Sequence, residues 1–133
     1  MLKLKIACNQ VNNLRELLNT IGPSVTILSE TWERDKQRLG DILNSRQFNT
    51  VSYYRKNRSP GGGCAIIYDK NRFVATDPDI VVPEDIEAIW TILTPASVGQ
   101  SRLNVNRIAV ASIYVSPRSQ FKPETIEHII ESS

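Results

Sequence analysis

Three polar residues occupy positions where an α/β protein would place chemistry. Asn9 follows the first strand pattern. Glu30 follows the second, within Ile27-Leu28-Ser29-Glu30-Thr31-Trp32. Tyr114 lies near the end of the last, in Ser112-Ile113-Tyr114-Val115-Ser116-Pro117. In open α/β sheets, sites form beyond the carboxyl ends of strands. If the first two strands are parallel neighbours, Asn9 and Glu30 converge at one edge. A carboxylate and an amide oxygen suit a hard cation such as Mg²⁺, which takes one or two protein carboxylates and keeps several waters. Each residue also has a plainer use. An Asn after a strand serves as a turn or cap residue. A Glu before a helix faces the positive end of its dipole. A strand Tyr fills a core or an interface.

Other constellations are weaker. Gly61-Gly62-Gly63 invites a phosphate-loop reading, but GxxxxGK[ST] and GxGxxG are both absent. Three glycines between two strands are better explained by a turn that needs positive φ. Cys64 has no convincing base partner. The one histidine, His128, sits beside Glu127 in a closing helical pattern. Cys–His nucleophilic catalysis is therefore not supported.

The elements that must position these residues follow from periodicity. Leu2, Leu4 and Ile6 alternate with Lys3 and Lys5, which predicts a strand to about Cys8. Asn12 or Asn13 is expected to cap a helix carrying Leu14, Leu17, Leu18 and Ile21, stopped by Gly22-Pro23. Val25 to Leu28 predicts a buried strand, and Glu33 to Leu43 a second helix. This βαβα opening argues for an α/β domain with a parallel strand pair. Further strands are predicted over Phe48–Tyr54, Ala65–Tyr68, Ile86–Leu93 and Arg107–Val115, with an exposed hairpin loop over 94–106. Ile108 to Val115 is apolar on both alternating faces, which predicts a central strand covered on both sides. Lys122 to Ile130 predicts a closing helix. The next element expected after it is a strand, so the sequence is expected to stop before its domain does.

Composition bounds the class. The chain has 133 residues, 41% hydrophobic and 23% charged, which suits one folded domain. No apolar run approaches 18 residues, so no membrane-spanning helix is expected. The N-terminal Met1-Leu2-Lys3-Leu4-Lys5-Ile6 is too short and charged for a signal peptide. Cys8 and Cys64 do not make a disulfide framework, and an intracellular location is the default. Net charge is only +2. Its distribution is uneven: Arg55, Lys56, Arg58, Lys70 and Arg72 lie in one basic segment, and Arg102, Arg107, Arg118 and Lys122 in another. The acidic Asp77, Asp79, Glu84, Asp85 and Glu87 fall between. Basic segments can attract phosphate backbones, and they can equally be solvated surface.

Together these residues carry a resemblance. The order is a strand ending in Asn9, then Ser29-Glu30-Thr31-Trp32, Tyr54-Arg55-Lys56, Gly61-Gly62-Gly63-Cys64-Ala65-Ile66-Ile67-Tyr68, and Ala111-Ser112-Ile113-Tyr114-Val115-Ser116-Pro117. The chain resembles the first half of the endonuclease/exonuclease/phosphatase superfamily. Within it, the chain is most similar to the endonuclease domains linked to reverse transcriptases of non-LTR retrotransposons. The resemblance implies a four-layer α/β sandwich with a mixed sheet and flanking helices, of which residues 1–133 are the N-terminal portion. It implies hydrolysis of phosphodiesters or phosphomonoesters with Mg²⁺ or Mn²⁺, and for the retroelement type a phosphodiesterase acting on DNA, in an intracellular or nuclear setting. By the same resemblance, Glu30 matches the metal-binding glutamate and Asn9 the asparagine that helps hold metal and phosphate. Tyr114 matches the tyrosine that contacts the scissile phosphate. Arg118 falls where relatives carry a basic residue near that phosphate, and Arg55 belongs to a basic segment that would grip flanking phosphates.

Two expected motifs do not follow Tyr114: the family's Asp-x-Asn after the next strand, and its Ser-Asp-His. Groups of this kind act as a unit, so the chain alone is expected to be a very weak or inactive nuclease. Partial core exposure would favour a complementary C-terminal half or dimerisation. The alternative is a non-catalytic interaction or nucleic-acid-binding module with the same fold start.

Overall fold

The computed structural model describes residues 2–5, 11–32, 38–55, 61–83, 86–96 and 106–115. In chain order these form β1 (Leu2–Lys5), α1 (Val11–Ile21), β2 (Val25–Ser29), α2 (Arg38–Leu43), β3 (Phe48–Tyr53), β4 (Cys64–Asp69), β5 (Phe73–Thr76), β6 (Glu87–Pro95) and β7 (Ile108–Tyr114).

The first sheet runs β1-β2-β4-β3 and the second β5-β6-β7. β1 and β2 are parallel, with Leu2 opposite Thr26. The other pairs are antiparallel, so the first sheet is mixed. This is an α/β architecture with flanking helices, in which helices, first sheet and second sheet form successive layers.

Residue spacing explains the layering. Leu14 and Leu18, four apart on α1, are both buried and share one face. They join Leu39 and Leu43 of α2 against Leu28, Phe48, Ala65 and Ile67 of the first sheet. Alternate residues point the other way. Val25, Ile66 and Tyr68 meet Leu93 and Val110 between the sheets, with Ile27, Val51 and Ile89 packed alongside. On the far face of the second sheet, Ile86 and Ala88 pack with Ile80, Val82, Trp90 and Ile113. Each large aliphatic side chain so buried contributes roughly 1.5–3 kcal/mol.

β4 is covered on both sides, and all six of its residues are buried. The sequence pointed instead to β7. Among the described residues β7 is an edge strand, and its Ile108 is 45% exposed. Apolar residues on both faces report that both faces meet hydrocarbon, not how many strands flank them. A second correction concerns the start of α1. Asn12 and Asn13 lie inside the helix, which begins at Val11. Leucine spacing fixes the phase of a helix but not its first turn. The end is as expected: Gly22, at φ 60°, donates its N–H to the Leu18 carbonyl at 2.8 Å.

The sequence pattern did not separate β5, which is four residues long. β6 runs on through Pro95, two residues past the predicted end. Residues 6–8, 33–37, most of the 94–106 loop and the predicted closing helix lie outside the described residues.

Candidate active site

One end of both sheets collects the residues of interest. In the first sheet Cys64 stands opposite Ser29 on one side and Tyr53 on the other. In the second sheet Glu87 stands opposite Tyr114. Glu30 leaves β2 immediately after Ser29, and Arg55 follows β3. The structure therefore brings Glu30, Arg55 and Tyr114 to a common end of the sandwich. Asn9 and Arg118 lie outside the described residues.

The turn carrying Glu30 is held in an unusual conformation. Glu30 and Trp32 both have positive φ, 54° and 57°. For residues with a Cβ this left-handed geometry costs roughly 1–2 kcal/mol each. Backbone contacts fix it. Thr31 donates to the Gly63 carbonyl at 3.3 Å, and Trp32 donates to the Gly62 carbonyl at 2.9 Å. Strained non-glycine residues held in this way cluster at functional sites.

The glycine run does two things. Gly61, Gly62 and Gly63 all have positive φ, as a turn of this kind requires. They also allow close approach. A Cβ on Gly62 would overlap the Arg55 guanidinium and a Glu87 carboxylate oxygen, and one on Gly63 would overlap the Thr31 hydroxyl.

Behind the glycines lies an ion pair that the sequence did not identify. Arg55 Nε donates to Glu87 Oε1 at 2.7 Å, and its Nη2 donates to Oε2 at 3.0 Å. This two-point geometry is the strong form of an Arg–carboxylate pair. Glu87 is buried, and its Oε1 also accepts from the Gly63 N–H at 3.4 Å. The Arg55 guanidinium lies 5.8 Å from the Tyr114 ring centroid, within cation–π reach. The hydrogen bond to Glu87 raises the Arg55 pKa further, against the opposing effect of burial. One signal for Glu87 was legible in retrospect. It shares the inward face of β6 with Ile89 and Leu93, and a carboxylate on such a face needs a partner.

The remaining inward groups are less polar. Burial pushes the Cys64 thiol up to about 12, opposed by a hydrogen bond with Ser112. Cys64 Sγ donates to the Glu87 carbonyl at 3.4 Å. An inert, buried thiol fits the sequence-based rejection of Cys–His chemistry. Burial, and then the Glu87 charge, raise the Tyr53 hydroxyl above its ordinary value.

An Asp-x-Asn string does occur, at Asp69-Lys70-Asn71. It sits at the opposite end of the sheet, where Asp69 pairs with Phe48. Asn71 donates its backbone N–H to Asp69 Oδ1 at 2.9 Å, so the string is a local turn between β4 and β5. Among the described residues, no three His, Cys, Asp or Glu side chains gather as a metal-binding group.

No family model and no curated protein sequence matches this chain. A solved structure does. The human Nocturnin catalytic domain, determined with a bound sulfate anion, aligns at a TM-score of 0.52 and 16% identity. The alignment covers 84% of this chain and 44% of that one, so this chain spans less than half of that domain. The fold is thus of the endonuclease/exonuclease/phosphatase type.

Proposed function

We propose that this chain carries part of a metal-dependent phosphodiesterase site of the endonuclease kind, directed at DNA and of retroelement type. The observation that supports it best is the convergence of Glu30, Arg55 and Tyr114 at one end of a two-sheet sandwich with this fold. A second supports the retroelement reading. Its two most specific sequence marks, Glu30-Thr31-Trp32 and Gly61-Gly62-Gly63, are joined by backbone hydrogen bonds into one unit.

Glu30 fits a Mg²⁺ or Mn²⁺ site in its chemistry. A single carboxylate on a fixed turn matches a cation bound mostly through water and substrate phosphate, and Asn9 would supply an amide oxygen. Glu87 does not belong to that donor set, because Arg55 occupies both its oxygens. When bound, the metal supplies charge neutralisation at the phosphoryl oxygens and a more acidic water. The chain's own residues do the rest. Glu87 holds Arg55, and Arg55 lies against the Tyr114 ring, whose hydroxyl would orient a phosphate oxygen. No aspartate follows Tyr114 in the sequence. Turnover by this chain alone should therefore be slower by several orders of magnitude than for a complete set.

Among the described residues no three metal-ligating side chains gather, which favours a second reading, a nucleic-acid-binding module without catalysis. Duplex DNA binding in Mg²⁺ and in EDTA, together with nicking of supercoiled plasmid, separates the two. The expected result is tighter binding in Mg²⁺, with the difference lost in Glu30→Ala, and at most trace nicking that Glu30→Ala abolishes. Equal binding by both proteins in both buffers would remove Glu30 as a metal ligand and leave the second reading.

A further inference from the structure

Trp32 is 45% exposed, although it is a large aromatic in a chain whose cores are well filled. An exposed aromatic by itself needs no explanation. Here three further observations apply. Its backbone is in the left-handed region, which any glycine would enter freely. Its backbone N–H is bonded to the Gly62 carbonyl, so the backbone that carries the ring is fixed. Gly62 in turn abuts the Arg55–Glu87 pair, and Glu30 is two residues away. An exposed indole is thus carried on a fixed stretch of backbone beside a site whose other groups suit a phosphate.

An aromatic face beside a phosphate-binding group matches the repeating unit of single-stranded nucleic acid, a base next to a phosphodiester. Lipid and sugar phosphates lack a flat π-face. We propose that Trp32 is a stacking platform for an unpaired base adjacent to the phosphate held at this site. The inference rests on the phosphodiesterase reading and narrows its substrate to nucleic acid with an unstacked base. The chemistry is sequence-tolerant, since every base has a π-face.

The test uses the Trp90→Phe protein, in which Trp32 is the one remaining tryptophan of the two in the chain. The Trp90 indole N–H is buried without a hydrogen-bond partner, so phenylalanine there breaks no hydrogen bond. Fluorescence is followed while titrating a single-stranded oligo(dT) and an abasic oligomer with the same number of phosphates. The expected result is quenching by oligo(dT) and not by the abasic strand. Replacing Trp32 in the otherwise unaltered chain should weaken oligo(dT) binding about 5- to 150-fold for Trp32→Ala, leave abasic binding unchanged, and be largely rescued by Trp32→Phe. Unchanged oligo(dT) binding in Trp32→Ala, with Arg55→Ala still weakening both strands, overturns stacking and spares the phosphate site. An equal loss for both strands shows a merely structural role and also overturns it. No binding of either strand by the unaltered chain overturns the phosphate reading together with the inference.

Discussion

The Ser112 hydroxyl donates to the Leu28 carbonyl at 2.7 Å, joining β7 to β2 across 84 positions of sequence. Both ends of this bond are buried, and it ties the two sheets together beside the candidate site. Ser112→Ala removes the donor and leaves the Leu28 carbonyl without it. The expected loss is about 1–2 kcal/mol, read as a lower urea midpoint at unchanged slope. An unchanged midpoint would show that the sheets hold together by apolar packing alone.

Glu87 and Arg55 form the larger tether. Their side chains are 11% and 18% exposed, so removing one partner strands a poorly solvated charge. Glu87→Ala and Arg55→Ala should each destabilise by about 2–4 kcal/mol, slightly below the fully buried case. A double-mutant cycle should give a coupling of about 1–3 kcal/mol. Additive single effects would mean that the pair contributes geometry without net stability.

The glycine run offers a controlled contrast. A Cβ at Gly62 meets the ion pair, whereas one at Gly22 meets nothing within 4 Å, though both residues have positive φ. Gly22→Ala should therefore cost only the conformational strain, about 1 kcal/mol. Gly62→Ala should cost at least about 2 kcal/mol more, because the pair must shift. Calorimetric melting of the two variants checks the order, and equal shifts would refute the packing argument.

Cys64 predicts a pH signature. Its thiol is raised from 9.0 to about 12 in the folded protein. The unfolded chain therefore loses this proton first as pH rises. The associated stability is complete below pH 9 and declines between pH 9 and about 12, at up to about 1.4 kcal/mol per pH unit. Tyr53, also raised, acts in the same direction at higher pH. Urea titrations at several alkaline pH values should show a shallower decline for Cys64→Ala than for the unaltered chain. In a Cys8→Ser protein, iodoacetamide at pH 8 should label Cys64 only after unfolding. Rapid native labelling would place the thiol at the surface.

Much of this arrangement was legible as pattern. Alternation gave the opening strand, leucine spacing gave α1, and Gly22 marked its end. Glu30 and Tyr114 stood out because polar groups at strand ends are where such sheets meet ligands. What pattern could not supply was pairing. Nothing local tells that β4 inserts between β2 and β3, or that β7 lies at an edge among the described residues. Glu87 was hidden for a related reason. It belonged to an acidic run; alternation with Ile89 and Leu93 marks its inward face, but its partner Arg55 is shown only by the structure. Arg55 read as part of a basic surface, yet its guanidinium is committed to a buried carboxylate. The glycines were read as a turn, but their second role, close approach to that pair, depends on residues 32 positions apart in sequence.

The strand order also bears on the route by which the chain folds. β4, one of the two inner strands of the first sheet, is synthesised after both of the strands it separates. Until Cys64–Asp69 slots between β2 and β3, the turn bearing Glu30 lacks its glycine anchor, and Arg55 gains its acid only later, when β6 brings Glu87. Closure of distant segments of this kind is entropically slow, on the millisecond-to-second scale for β-rich topologies. A nascent chain that has emerged only as far as Tyr53 would carry Glu30 on a strand paired at most with β1, and the site would take its geometry only as β4 and then β6 follow.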